Sequence, residues 1–336
     1  MADITLESVL ATGRAFSNSR ILLTGAELGL FTLLDGERLA AGDIASKLAI
    51  PDSAGLRPLT TLLDALAALG YLSKSDGLYT CPEDMAMHLS AKSPRSGLPM
   101  LLHSSSMWSS WSRLTAIVRG RPDEDDAGGP DDAEKLRAFI DAMHVVGGPM
   151  AEQVISRIEP RSSRALLDVG GASGTYTMAF LQASPEARAT IFDRPPVIEM
   201  ARERLEADGF ADRVALVGGD FSTDELPGGH DLALLSAIIH QNSRRQNVEL
   251  YGKIIRALVP GGRLIIRDHI MSPDRLRPVA GAVFAINMLV ATRGGGTYTF
   301  DEVRQDLENA RFTRVRLLDG GAAAMDGLVE ARKPIA

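Results

Sequence analysis

At 336 residues and 45% apolar content the chain is long enough to bury a sizeable core and to hold two domains, which excludes a small or disordered protein. A net charge of −7, from 43 acidic against 36 basic side chains, excludes electrostatic attraction to nucleic acid or to acidic membrane surfaces. The single cysteine, Cys81, excludes an intrachain disulfide and fits a reducing, cytoplasmic compartment, and no apolar run approaches the length of a membrane span.

Residues 1–7 lack the basic start and long apolar stretch of a secretory signal, so none is expected. Residues 21–34 are apolar on most faces and predict one helix buried on several sides. Residues 41–48, a periodic helix near 56–69, and two short apolar pairs around Ser75-Asp76-Gly77 predict a helix-turn-helix followed by a hairpin, the pattern of a winged helix. Such modules often read DNA, but residues 1–100 carry 8 basic and 11 acidic side chains, and Arg57 is the one base on the helix near 56–69. Binding a polyanion would be unfavourable for that surface.

Trp108 and Trp111, with His103 nearby, stand three residues apart and so share a helix face, either as packing anchors or as a pocket wall. Residues 120–132 are acidic, rich in glycine and proline, and aperiodic, which predicts an exposed loop. Helical spacing returns over 135–158, where Phe139 and Met143 read equally as core or as ligand contacts.

The most informative stretch is LLDVGGASGT, residues 166–175, an apolar run ending in Asp168 and then three glycines. It predicts a strand turning sharply into a helix. Gly170, Gly171 and Gly174 permit a close backbone approach to a ligand that the helix N-terminus faces, although an ordinary strand–helix turn has the same look. The absence of Lys-Ser/Thr after the last glycine excludes a phosphate-gripping P-loop, and the spacing is not that of a pyrophosphate site.

Four further strands end in polar residues. Residues 189–192 run into Asp193, placed as the acid that hydrogen-bonds ribose hydroxyls in doubly wound folds. Residues 213–217 lead to Asp220 and Phe221, a carboxylate and a ring that suit adenine. Residues 231–236 lead to His240, and 262–267 to Asp268. Strand carboxyl ends converge on one crevice in open α/β sheets, so Asp168, Asp193, Asp220, His240 and Asp268 are expected to face one site. The bland alternatives are a carbonyl-bonded histidine at position 240 and, for Asp268, a helix cap or a partner for Arg267 or His269. Ser243 is a good N-cap for the next helix. A last helix, 279–290, carries Phe284, Asn287 and Met288, and an amide within so apolar a helix wants a partner. The six histidines lack metal-ligand spacing, and no metal is expected; Asp268-His269 is the one pair that raises the question.

Taken in order, LLDVGGASG, FDRPPVI, VGGDF, SAIIHQNS and ALVPGGRLIIRDHIM resemble the S-adenosylmethionine-dependent small-molecule O-methyltransferases of the plant caffeate and bacterial antibiotic-tailoring type, over nearly the whole chain. The resemblance implies an α/β fold, with a Rossmann-like class I methyltransferase domain at 159–336 preceded by a mainly α winged-helix dimerisation domain at 1–100 and a helical connector at 101–158. It implies a homodimer that binds S-adenosylmethionine and a small-molecule acceptor, with no nucleic acid or membrane partner. Asp168, Gly170, Gly171 and Gly174 would line the cofactor, Asp193 would take its ribose, and Asp220 and Phe221 would flank its adenine. His240 stands at the position of the general base and Asp268 at that of the carboxylate orienting it. Phe139, Met143, Phe284, Asn287 and Met288 would border the acceptor. Two departures matter: Gln241-Asn242-Ser243 replaces the Asp-Trp after the base, and Thr297 falls near the position of a second supporting acid. They leave open methylation of sulfur, nitrogen or carbon by positioning alone, with His240 binding substrate.

Overall fold

The computed structural model describes residues 4–51, 53, 55–120, 133–321 and 325–335, so the acidic stretch expected as a loop, apart from Gly120, lies outside the described residues. The chain divides into two compact units, one of residues 4–108 and 133–145, the other of 109–120 and 146–335. Residues 101–158, expected as a connector, are thus shared between the two.

The first unit opens with α1 (Leu6–Glu27), whose start is closed by a capping box in which the Thr5 hydroxyl accepts from the Ser8 amide. The single helix expected over 21–34 is two. Gly29 adopts φ 67°, the left-handed conformation that ends a helix, and α2 (Leu30–Leu33) starts afresh behind it. Apolarity on all faces signalled burial correctly and hid the break. β1 (Leu39–Ala40), α3 (Ala41–Lys47), α4 (Arg57–Ala68), β2 (Ser73–Ser75) and β3 (Leu78–Thr80) follow as a winged helix with sheet order β1-β3-β2. The hairpin pairs Ser75 with Leu78 across Asp76 and Gly77, both at positive φ, as a two-residue turn matching strand twist requires. α5 (Glu83–Leu89) and α6 (Leu98–Ser106) complete the packing around Leu30, Phe31, Leu34, Ile44, Leu63 and Leu66, which have no exposed surface. α7 (Trp108–Ser112), α8 (Leu114–Val118) and α9 (Ala133–Arg157) lead on to the second unit.

There, β4 (Ala165–Val169), α10 (Thr175–Ala183), β5 (Arg188–Asp193), α11 (Pro195–Ala207), β6 (Val214–Gly218), β7 (His230–Ser236), α12 (Arg244–Ala257) and β8 (Leu258–Asp268) alternate strand and helix. β9 (Ile270–Met271), α13 (Val279–Ala291), β10 (Tyr298–Thr299), α14 (Phe300–Asn309), β11 (Thr313–Asp319) and β12 (Gly327–Arg332) follow. The main sheet has the order β11-β12-β8-β7-β4-β5-β6, with β8 to β6 parallel and β12 antiparallel to both its neighbours. Helices cover both faces, so Leu166, Leu167, Leu232 to Leu235 and Leu264 to Ile266 are buried in continuous apolar runs. The strand order reverses between β4 and β7, the switch point at which such sheets open a crevice for ligands. No helix among the described residues is long and apolar enough to cross a membrane.

Candidate active site

The crevice begins at the end of β4. Asp168 is 2% exposed, accepts a 2.7 Å hydrogen bond from the Thr177 hydroxyl, and is pushed up to about 7 by burial. The next residue but one, Gly170, has φ +70°, and a Cβ there would fall 2.4 Å from Ile238 Cδ1, so no other residue fits without displacement. Phe221 lies 3.7 Å from the same point. Gly171 backs onto Asp168, where a Cβ would meet the carboxyl carbon at 2.9 Å, and Gly174 at φ 76° is the N-cap of α10.

At the end of β5, Asp193 accepts from the Ala172 amide at 2.9 Å and from its neighbour's Arg194 amide at 2.7 Å, which fastens the glycine loop to the second strand. Burial raises its carboxyl, with the two amides and the Arg194 charge opposing. Beyond β6, Asp220 is exposed, and its Oδ1 accepts from the Ser222 hydroxyl and amide, which lower its carboxyl. Asp168, the three glycines, Asp193 and Phe221 therefore meet in one crevice, with Asp220 at its open edge. Acids at three adjacent strand ends suit a cation bearing hydroxyl and amino groups and repel a polyphosphate. That set of acceptors fits S-adenosylmethionine.

Across the switch point, β7 ends in a kink at Ala237, φ 59°, and a 3-10 turn over Ile239–Gln241 presents His240. Its Nδ1 lies 3.0 Å from both Oδ1 and Oδ2 of Asp268, the last residue of β8. Asp268 is fully buried and also accepts from the His269 amide at 2.8 Å. A carboxylate at Nδ1 fixes the proton there and leaves Nε2 with its lone pair, the tautomer of a general base. Thr297 supplies no second acid: it is buried, and its carbonyl accepts from Arg275. The orientation comes instead from Phe284, whose ring meets the imidazole edge-on at 4.8 Å, and from the Gly296 amide, which donates to the His240 carbonyl at 2.8 Å.

Several supporting residues escaped the sequence reading. Asn247, 1% exposed, donates from Nδ2 to the Ile239 carbonyl and accepts from Asn242, and the Tyr298 hydroxyl donates to the Asn242 carbonyl, so the turn holding His240 is pinned from α12 and β10. Gly295 passes so close that a Cβ would fall 2.4 Å from the His240 carbonyl oxygen; the run of three glycines at 294–296 was the available signal. Ser243 caps α12 in a capping box with Gln246, as its sequence position suggested. Asn287 has the partner that an amide in an apolar helix needs, accepting from Trp111 Nε1 at 3.0 Å, and Met288 is buried. The two tryptophans part company: Trp111 belongs with the second unit, while Trp108 belongs with the first, under the Arg20 guanidinium at 5.4 Å. Phe139 and Met143, on α9, also belong to the first unit, where Phe139 meets the His103 ring edge-on at 5.1 Å.

This arrangement matches known proteins along its length. Residues 126–313 match the family model described as an O-methyltransferase domain. The chain is 31% identical to the tetracenomycin polyketide synthesis 8-O-methyl transferase TcmO of Streptomyces glaucescens, covering 97% of this chain and 96% of that one. It is also 31% identical to the 3-hydroxy-5-methyl-1-naphthoate 3-O-methyltransferase of Streptomyces sahachiroi, covering 98% and 95%. The solved structure of PigF with SAH superposes with a TM-score of 0.87 at 26% identity, over 98% of this chain and 100% of that one. A crevice of strand-end acids over a glycine turn, a histidine–carboxylate pair beside it and these likenesses together place the chain in the O-methyltransferase family, as an S-adenosylmethionine-dependent enzyme that methylates a small molecule.

Proposed function

We propose that the acceptor is a phenolic hydroxyl on a fused-ring aromatic and that His240 is its general base. The observation that carries this reading is the 3.0 Å contact of His240 Nδ1 with Asp268. The names of two relatives, a polyketide-synthesis 8-O-methyltransferase and a hydroxynaphthoate 3-O-methyltransferase, support the acceptor class. Asp168, Gly170, Gly171, Gly174, Asp193, Asp220 and Phe221 hold the cofactor, which when bound supplies a methyl group already activated on a sulfonium. His240 Nε2 takes the hydroxyl proton. Asp268 keeps the other proton on Nδ1 and stabilises the imidazolium that results. Phe284 fixes the plane of the imidazole, with Asn287 and Met288 on the same helix.

The first unit is proposed as a dimerisation module of a homodimer. Residues 4–19 are exposed throughout in the single chain, and among them Ile4, Leu6, Val9, Leu10 and Phe16 are large and apolar, a stripe that a second copy would cover. A cytoplasmic location is proposed on the single, buried Cys81. The deciding experiment is transfer of labelled methyl to a panel of phenols, carboxylates, thiols and amines by wild type and His240→Ala. Transfer to phenols that collapses in the variant supports the base. Full activity in His240→Ala refutes it, and transfer to a thiol or amine replaces the acceptor.

A further inference from the structure

Phe284 packs against two imidazoles. One is His240; the other is His269, whose ring lies 5.0 Å from Phe284 at 45°. Both being within 5.0 Å of one ring, the imidazoles are within about 10 Å of each other, a span that one or two fused aromatic rings bridge. His269 follows Asp268 in sequence, and its amide is bound to that carboxylate, so its backbone is as fixed as the catalytic pair.

The side chain of His269 has no function in the chemistry above, yet it is buried in a way that needs explaining. The residue is 6% exposed and Nδ1 is sealed off without a hydrogen-bond partner. Nε2 has no partner either among the described residues, and it is not sealed off. A Cβ on Gly281, in the first turn of α13, would fall 3.4 Å from Nδ1, so that nitrogen packs against the side of the helix, away from any acceptor. An N–H at Nδ1 would be a buried donor with no acceptor, and burial lowers the affinity of the whole ring for a second proton, with the neighbouring Asp268 charge opposing and the His240 ring acting with burial. The result is a neutral imidazole whose single N–H is on Nε2, a hydrogen-bond donor held without a partner one aromatic ring away from the base. Natural interiors seldom leave such a group unused.

We propose that His269 is a specificity-determining residue, donating from Nε2 to a second oxygen, carbonyl or carboxylate, on the ring system whose hydroxyl His240 deprotonates. The inference rests on the phenol reading of the acceptor. It makes the enzyme selective for aromatics with two oxygens placed apart, and it separates two jobs: His240 accepts a proton and His269 fixes which hydroxyl reaches it. No bond is made or broken at His269.

The test uses a matched pair, 5-hydroxy-1-tetralone, which has the carbonyl, and 5,6,7,8-tetrahydro-1-naphthol, which lacks it. The kcat/KM ratio of the two is measured for wild type, His269→Leu, which removes the donor at similar bulk, and His269→Asn, which restores one. Comparing ratios between proteins cancels the different acidity of the two phenols. S-adenosylhomocysteine affinity by calorimetry checks that each variant is folded. Wild type is expected to favour the tetralone, and His269→Leu to lose that preference by about tenfold, the worth of one hydrogen bond to a polar group in a desolvated site. Its rate on the tetrahydronaphthol stays near wild type, and His269→Asn recovers part of the preference. A preference that survives in His269→Leu, or an equal fall on both acceptors with cofactor affinity intact, overturns the assignment. If wild type methylates neither phenol while transferring to a thiol or amine, the phenol reading itself fails, and this inference with it.

Discussion

If His240 is the general base proposed above, replacing Asp268 by Asn should leave the shape of the site and remove that base. The amide is isosteric, its oxygen can still accept from the His269 amide, and its nitrogen then donates to His240 Nδ1, where the carboxylate had accepted. The imidazole is driven to carry its proton on Nε2, and the nitrogen facing the acceptor becomes a donor. Two estimates give the magnitude. With side-chain exposures of 12% and 1%, solvent barely screens the pair; at 3.0 Å and an effective dielectric of about 20, a carboxylate and an imidazolium attract by roughly 5 kcal/mol. Positioned general bases contribute about 10²- to 10⁴-fold, or roughly 3–5 kcal/mol. The two agree, so kcat should fall by about two to four powers of ten. Initial rates of labelled methyl transfer measure it, with an ordinary phenol and with a nitrophenol that is already ionised at the assay pH. The nitrophenol needs no base, and the loss should shrink on it. An equal loss on both phenols, or no loss, would refute the argument that Asp268 works through the protonation of His240.

Gly170→Ala should weaken cofactor binding at least tenfold and lower the melting temperature, because a methyl group 2.4 Å from Ile238 Cδ1 must displace that side chain and φ +70° strains any L-residue; calorimetry with S-adenosylhomocysteine is the check, and wild-type affinity would mean the loop is not the cradle. Asp168 sets a pH dependence. Its carboxyl is raised in the folded state to about 7, above the usual value near 4 in the unfolded chain, so the folded protein binds the extra proton, and this group's contribution to stability is full below about pH 4 and is lost as pH rises through 7. The ligand-free protein should lose on the order of 4 kcal/mol across that window from this group, and Asp168→Asn should flatten the profile in denaturant titrations. Glu330 is 1% exposed and meets Arg263, Arg316 and Arg332; Glu330→Ala strands the buried Arg263 guanidinium and should cost about 3–5 kcal/mol of unfolding free energy, a loss that an urea titration would reveal and that an unchanged midpoint would disprove.

Much of the site was legible because its residues sit where local pattern changes. An apolar run that stops at an acid or a histidine marks a strand end, and five such stops named Asp168, Asp193, Asp220, His240 and Asp268 before any contact was known. What followed His240 was less legible: Gln241-Asn242-Ser243 and the missing second acid left open whether His240 is a base or only binds substrate, and the residues that hold its turn, Asn247, Tyr298, Gly296 and Phe284, come from other elements. Single residues of ordinary types at distant positions carry no local signal of that kind.

By itself the sequence determined the alternation of strands and helices, the winged pattern of the first unit, the cap at Ser243 and the glycine turn, since each depends on residues within one or two turns of each other and on backbone preferences that act locally. Only the tertiary structure decided the break at Gly29, the pairing of Trp111 with Asn287 176 positions away, the strap of glycines over His240 and the seat of His269 beside Phe284. These depend on sheet register and on which helix faces pack together. That is a property of all the buried surfaces at once, which no window of sequence contains.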